Sequence, residues 1–250
     1  MKKFFSILGG MGTLATENFV HQLNSKTKAQ RDQDYLNYVL FNHAEIPDRT
    51  DYILDQTKES PLEYLLEDIA QQELLQPQFM VLACNTAHYF YDDLQAATTI
   101  PLLHMPRETV KELKRQQKKG KVAILATQGT IHSEVYEKEL LTNGFQVYLP
   151  TPDLQENINN LIYRDVKRNG FLNTELYKLI LKEVQAAGCQ AAILGCTELS
   201  LLYAEVKTHP YLVIDAQSVL VDRTIERANS YQEKTDLNEN KQQYVYSRQE

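Results

Sequence analysis

Short apolar runs alternate along this chain with longer segments whose apolar residues recur at helical spacing, the pattern of an α/β fold with a largely parallel sheet. The runs predict strands over Phe4–Leu8, Asn37–Asn42, Phe79–Ala83, Pro101–His104, Lys121–Ala126, Phe145–Leu149, Ala191–Gly195 and Leu212–Ile214. Between them the spacing predicts helices over Thr16–Ala29, Pro61–Leu75, Thr86–Thr98, Arg107–Lys118, Ile131–Thr142, Leu154–Lys167, Leu172–Ala187 and Ser218–Ala228. Thr151 or Asp153 caps the helix after Pro152, and Asn143-Gly144 fits a helix stop. The stretch from about Asn229 to Glu250 is polar and rich in Gln, Asn and Glu, and reads as a frayed tail.

An internal echo refines this picture. The segments ILGGMGT (7–13) and ILATQGT (124–130) share Ile, Leu, Gly and Thr in register at an offset of 117, and LACNT and LGCTE echo each other at 112. Two matches in the same order at nearly one offset point to a duplicated α/β unit. In open α/β sheets the ligand site lies beyond the carboxyl ends of the strands, where all four echoed turns fall. Two such units related by a pseudo-twofold axis face each other across a cleft, the predicted site. The expected division is a first domain of residues 1–100 plus 210–229, a second of 101–209, and a tail of 230–250.

Composition narrows the function. A chain of 250 residues with 43% hydrophobic content can bury a full core. The net charge of −7 and a pI near 5.5 argue against nucleic acid, whose affinity rests on Lys and Arg meeting phosphates. The basic cluster Lys111–Lys121 reads as the exposed end of a helix, where cations suit the negative pole of the dipole. Three cysteines without regular spacing suit neither a disulfide scaffold nor a structural zinc site, and a reducing cytoplasm is the expected location. The opening MKKFFSILGG mimics a signal peptide, but its apolar run is short and cut by glycines, so it reads as a first strand entering a turn. No stretch approaches the roughly 20 apolar residues of a membrane span.

The candidate chemistry rests on Cys84 and Cys196, each directly after an apolar run in a different half. Inverting a carbon that bears hydrogen requires a base on one face and an acid on the other, and a thiolate and a thiol can exchange those roles. The plain alternative is that each is a small buried core residue, as Cys189 in AAGCQAA reads. Asn85, Thr86 and Thr197 follow the two cysteines at expected helix N-termini, where N–H groups and hydroxyls can hold a carboxylate. That location also predicts a lowered thiol pKa. A cysteine hydrolase pairing Cys84 with His88 competes, but it leaves the second cysteine segment unexplained.

These residues carry a resemblance. GGMGTLAT (9–16), RDQD (31–34), FNHAEIPDRT (41–50), LACNTAHYF (82–90), ILATQGTI (124–131), YRDVKRNG (163–170) and ILGCTEL (193–199) resemble the aspartate/glutamate racemase family, most closely its cofactor-independent aspartate racemases. The resemblance implies two pseudosymmetric Rossmann-like α/β/α domains with parallel-rich central sheets, an interdomain active-site cleft and a homodimer. It implies interconversion of L and D forms of an acidic amino acid without pyridoxal phosphate or metal. Cys84 and Cys196 are then the acid/base pair. Met11, Arg49, Asn85, Thr86, Thr127, Thr130, Lys167 and Thr197 are the implied substrate ligands. One departure is Thr13, where close relatives usually carry proline.

Arg49 and Lys167 bear on substrate choice. A planar guanidinium matches a carboxylate bidentately and a lysine supplies a point charge, so the pair favours a dicarboxylic amino acid. The alternative for Arg49 is a salt bridge to Asp48 or Asp51, and for Lys167 a displacement of the role to Arg164 or Arg168. Three functions remain open at this level: an aspartate racemase, a related reaction on glutamate, a hydantoin or another carbanion precursor, and a noncatalytic sensor of an acidic metabolite.

Overall fold

The computed structural model describes residues 3–116 and 119–246, with side-chain surroundings through residue 231. All eight predicted runs are strands: β1 (Phe5–Gly9), β2 (Tyr38–Asn42), β3 (Met80–Leu82), β4 (Leu102–Leu103), β5 (Lys121–Ala126), β6 (Gln146–Tyr148), β7 (Ala191–Gly195) and β8 (Leu212–Asp215). They form two four-stranded sheets of matching order, β2-β1-β3-β4 and β6-β5-β7-β8, with every pairing parallel. Parallel neighbours require crossover helices, which is why strands and helices alternate along the chain.

The helices of the first half are α1 (Thr13–Lys26), α2 (Arg49–Leu54), α3 (Leu62–Leu74), α4 (Tyr91–Ala96) and α5 (Met105–Arg115). Those of the second are α6 (Gln128–His132), α7 (Val135–Thr142), α8 (Pro152–Asn159), α9 (Thr174–Ala186), α10 (Thr197–Glu205) and α11 (Ala216–Tyr246). A 3-10 turn over Thr86–Phe90 precedes α4, and α8 runs on into a π-helix over Asn160–Arg168. The Thr151 hydroxyl accepts from the Leu154 N–H and caps α8, and Gly144 takes a positive φ of 80° after α7.

Alternation along the strands separates three cores. Phe5 and Ile7 of β1 and Val122 and Ile124 of β5 point into one inner cluster with Val110 of α5, Tyr136 of α7 and Leu220 of α11. Leu8 of β1 faces the opposite way onto Leu65 and Ile69 of α3, and Ala123 and Leu125 of β5 onto α8 and α9. The inner core therefore belongs to both sheets, and no apolar gap separates the halves.

Several expectations are corrected. β4 pairs with β3 and β8 with β7, so each sheet keeps its own fourth strand, although residues 101–104 were expected in the second domain and 210–229 in the first. It is the following helices that cross over: α5 packs on α7, and α11 on α1. Apolar runs report burial but not which sheet edge a strand joins.

α2 was unforeseen, and of α10 only the N-terminus at Thr197 was expected. α2 is six residues long, started by the Asp48 carboxylate accepting from the N–H groups of Thr50 and Asp51. α10 buries Thr197, Glu198, Leu199, Ser200 and Leu202 and so lacks a polar face to betray its period. The span expected as one helix over 131–142 breaks at Glu134, which takes a φ of 58°. The backbone of α11 continues to Tyr246 where a frayed tail was expected, consistent with the helix propensity of its Gln, Glu and Lys residues. Residues 247–250 lie outside the described residues, as does Lys118 of the basic cluster. Among the described residues no helix is long and apolar enough to cross a membrane.

Candidate active site

β3 and β7 hold equivalent inner places in the two sheets; β3 ends two residues before Cys84 and β7 directly before Cys196. Cys84 and Cys196, both about 5% exposed, line one narrow cavity between the halves. The glycine turn after β1 completes its floor. There Gly10 has a φ of 93° and a Cβ on it would sit 2.4 Å from the His43 backbone, so only glycine lets the turn pass. Met11 beyond it reaches the cavity.

On the Cys84 side the neighbours are uncharged. Asn85 accepts a hydrogen bond from the Tyr136 hydroxyl through Oδ1, which leaves its buried Nδ2 without a partner. His88 does not pair with the thiol. Its Nδ1 donates to the Cys84 carbonyl at 2.8 Å while Nε2 accepts from the Met105 N–H at 3.0 Å, an arrangement only the neutral ring satisfies. Burial depresses its pKa to about 4, in agreement. The hydrolase pairing considered above has no geometry here.

Hydroxyls join the halves above the thiols. Thr86 Oγ1 lies 2.8 Å from Thr130 Oγ1 and 3.2 Å from Thr127 Oγ1, and Thr127 lies 3.0 Å from Thr130. Thr50 Oγ1 donates to Thr127 at 3.3 Å and accepts from the Tyr163 hydroxyl at 3.0 Å. Gly129 makes this junction possible, because a Cβ there would stand 2.7 Å from the Thr50 Cα.

On the Cys196 side the surroundings are ionic. The thiol donates to Glu198 Oε2 at 2.9 Å, Thr197 Oγ1 donates to the same oxygen at 3.2 Å, and Lys167 Nζ stands 3.7 Å from Glu198 Oε1. The lowered thiol pKa expected here is overturned at Cys196: burial, and then the Glu198 carboxylate, push it well above the ordinary value, and Lys167 offsets this only in part. The helix N-terminus at α10 does not outweigh a buried carboxylate in contact. Burial also opposes the charge on Lys167, but Glu198 and Cys196 outweigh it and hold its pKa above the ordinary lysine range.

Arg49 points inward without a carboxylate. Its Nη1 donates to the carbonyls of Ile46 at 3.1 Å and Pro47 at 2.9 Å, and its Nη2 to Met11 at 3.2 Å. Asp48 instead caps α2, and the Arg49 Nε–H is buried without a partner, free for an anion. Arg164 pairs with Asp165 at 2.6 Å, so the cation that reaches the cavity from the π-helix is Lys167.

Of the ten residues singled out from the sequence, all but Thr130 line the cavity, and Thr130 stands behind Thr86 and Thr127. Asp48, Thr50 and Glu198 line it as well and were missed, although all three lie inside quoted motifs. Tyr136 and Tyr163 were missed too, and for Tyr136 nothing in its local sequence marks it. Two thiols, converging hydroxyls, a free amide donor and two cations surround one small enclosed space. That set can hold carboxylates and move a proton on and off an adjacent carbon. No cluster of three or more His, Cys, Asp or Glu among the described residues is placed to hold a metal ion.

Comparison with known proteins follows the same lines. The family model described as Asp/Glu/hydantoin racemase matches residues 8–224. A broad specificity amino-acid racemase of Bacillus subtilis is 27% identical over 230 residues, covering 90% of this chain and 98% of that protein. A glutamate racemase of Persephonella marina is 28% identical over 171 residues, 65% of this chain and 62% of that one. Among solved structures, the Picrophilus torridus aspartate racemase superposes with a TM-score of 0.81 at 31% identity, covering 91% of this chain and 94% of that one.

Proposed function

The chain belongs to the Asp/Glu/hydantoin racemase family, and from that premise we propose that it interconverts L- and D-aspartate by two-base proton transfer, without a cofactor. The observation that carries this reading is the pair Cys84 and Cys196, delivered by equivalent strands of two sheets to one cavity. A thiolate takes the Cα proton and becomes a thiol, and the electron pair passes into the α-carboxylate. The opposite thiol then returns its own proton to the other face and becomes the thiolate, so the enzyme ends in the mirror protonation state.

The flanking groups have matching roles. Hydroxyls of Thr86 and Thr127, held from behind by Thr130, stabilise with the free Asn85 amide the charge that develops on the α-carboxylate. Arg49 and Lys167 each take one carboxylate of the substrate, with Arg49 offering its unpartnered Nε–H. Met11 and Thr197 shape the walls. In this reading the protein works in the cytoplasm as a homodimer. The similarity to an aspartate racemase supports aspartate, and the similarity to glutamate and broad specificity racemases makes glutamate the substrate to test beside it.

The test is incubation with L-aspartate in D₂O, following the α-proton by NMR together with optical rotation. Loss of both signals is the expected result. Exchange of L-glutamate with L-aspartate left intact moves the substrate assignment but keeps the chemistry. Ligand-induced stabilisation without any exchange supports a sensor instead.

A further inference from the structure

Tyr163 has no part in the proton transfer just described, yet it contacts Lys167 directly and, through Thr50, the segment that carries Arg49. On one side the Lys167 ammonium lies 4.8 Å from the centre of its ring. On the other its hydroxyl donates across the cleft to Thr50 Oγ1 at 3.0 Å, and Thr50 directly follows Arg49 in α2. Burial raises the phenol pKa, so the hydroxyl keeps its proton for that bond.

Both ends of this link are anchored. Arg49 is tied to the carbonyls of Ile46, Pro47 and Met11, and Thr50 is packed onto Gly129 at a distance no side chain would allow. Lys167 is held besides by Glu198 at 3.7 Å. π-helical turns are frequent at functional sites, and in this one Tyr163 and Lys167, four positions apart, lie in contact.

From this geometry we infer that Tyr163 is a positioning residue that fixes the spacing between the carboxylate sites at Arg49 and Lys167 and thereby selects four-carbon over five-carbon dicarboxylic substrates. The inference rests on the racemase reading for the identity of those sites. A lysine on its flexible stem would follow a longer substrate; a lysine braced by a ring that is itself bonded to the Arg49 segment does not. One methylene in the substrate is then discriminated by about 10-fold or more.

The experiment is the ratio of kcat/KM for L-aspartate to that for L-glutamate in the wild type, Tyr163→Phe, Thr50→Val, Thr50→Ser and the Tyr163→Phe/Thr50→Val double variant. The expected wild-type preference of about 10-fold or more falls to within about threefold in Tyr163→Phe and in Thr50→Val. The double variant falls no further, since both changes break one bond, and Thr50→Ser keeps the preference. Equal losses for both substrates with the ratio unchanged would show a merely structural role and overturn the inference.

Melting shifts with succinate and glutarate read the same spacing without turnover. Succinate is expected to stabilise the wild type more, and Tyr163→Phe to level the two. A preference that survives in Tyr163→Phe, or none in the wild type, overturns the inference. If neither amino acid is racemised while the succinate preference behaves as stated, the racemase reading fails and the role of Tyr163 stands.

Discussion

Cys84 and Cys196 occupy equivalent places at the ends of β3 and β7, yet the residue two positions on differs in kind. In the first half it is Thr86, whose hydroxyl joins Thr127 and Thr130; in the second it is Glu198, whose carboxylate accepts from the thiol itself. Duplication has kept the strand, the turn and the thiol, while the two residues that follow, Asn85-Thr86 in one half and Thr197-Glu198 in the other, decide what surrounds the sulfur. Burial, and then Glu198, disfavour the Cys196 thiolate. The two faces of the cavity are alike in shape and unlike in charge.

The other echoed positions diverge in the same way. Gly12 and Gly129 correspond across the repeat, but a Cβ on Gly12 meets nothing within 4 Å, whereas one on Gly129 meets Thr50 of the opposite half at 2.7 Å. The ends of β4 and β8 carry His104 and Asp215, each accepting a backbone N–H at the start of the next helix. Burial, with the neighbouring His88, pushes the His104 pKa down to about 3, and burial pushes that of Asp215 up to about 6, so both favour the neutral form.

Replacing either cysteine tests the shared part of the design and should have the largest effect. Cys84→Ser and Cys196→Ser are each expected to lose about 10²- to 10⁴-fold in α-proton exchange, measured by NMR in D₂O. Undiminished exchange in either variant would remove the two-base scheme.

Glu198→Gln tests the asymmetry. Removing the carboxylate at Cys196 should raise its alkylation by iodoacetamide near neutral pH by about 10-fold, followed by mass spectrometry, with Cys84 changed little. Equal changes at both thiols would mean that Glu198 acts only through packing.

Asp215→Asn probes charge at the end of β8. A folded-state pKa of about 6, raised from 3.8, means that the stability contributed by the neutral carboxyl is complete below about pH 4 and is lost as pH rises through 6. The amide has no charge to bury. The variant should therefore gain on the wild type across that window, by about 3 kcal/mol at pH 7, in melting curves recorded from pH 4 to 7. A constant difference at every pH would assign the effect to something other than ionisation.

The glycine pair gives the smallest effect and isolates the junction of the halves. Gly129→Ala should cost about 1–3 kcal/mol by overpacking against the Thr50 backbone, and Gly12→Ala about 0.5 kcal/mol or less. Denaturant unfolding of the two variants provides the comparison.

Much of this was readable along the chain. All eight strands were foreseen because their apolar runs are short and bounded by turns, the paired CNT and CTE segments led to both thiols with Asn85, Thr86 and Thr197, and the family resemblance added Met11, Arg49, Thr127 and Lys167 to the cavity wall. The failures are equally particular. Of α10 only the start at Thr197 was foreseen because most of the helix's faces are buried, and the pairing of β4 with β3 and of β8 with β7 was not foreseen because periodicity does not encode edges. Tyr136 was missed because nothing near it in sequence shows that its hydroxyl reaches Asn85, 51 residues away.

Local pattern thus settled which segments are strands, which turns repeat, and which side chains stand at strand ends, since these depend on the alternation of neighbours along one chain. Tertiary structure alone decided that the Cys196 thiolate is disfavoured, that Arg49 turns from Asp48 to three carbonyls, and that Tyr163 bonds Thr50 across the cleft with Lys167 over its ring. Each of those outcomes depends on burial and on contacts of a few ångströms between distant segments, and electrostatics at that range exists only once the two sheets have closed on a common core.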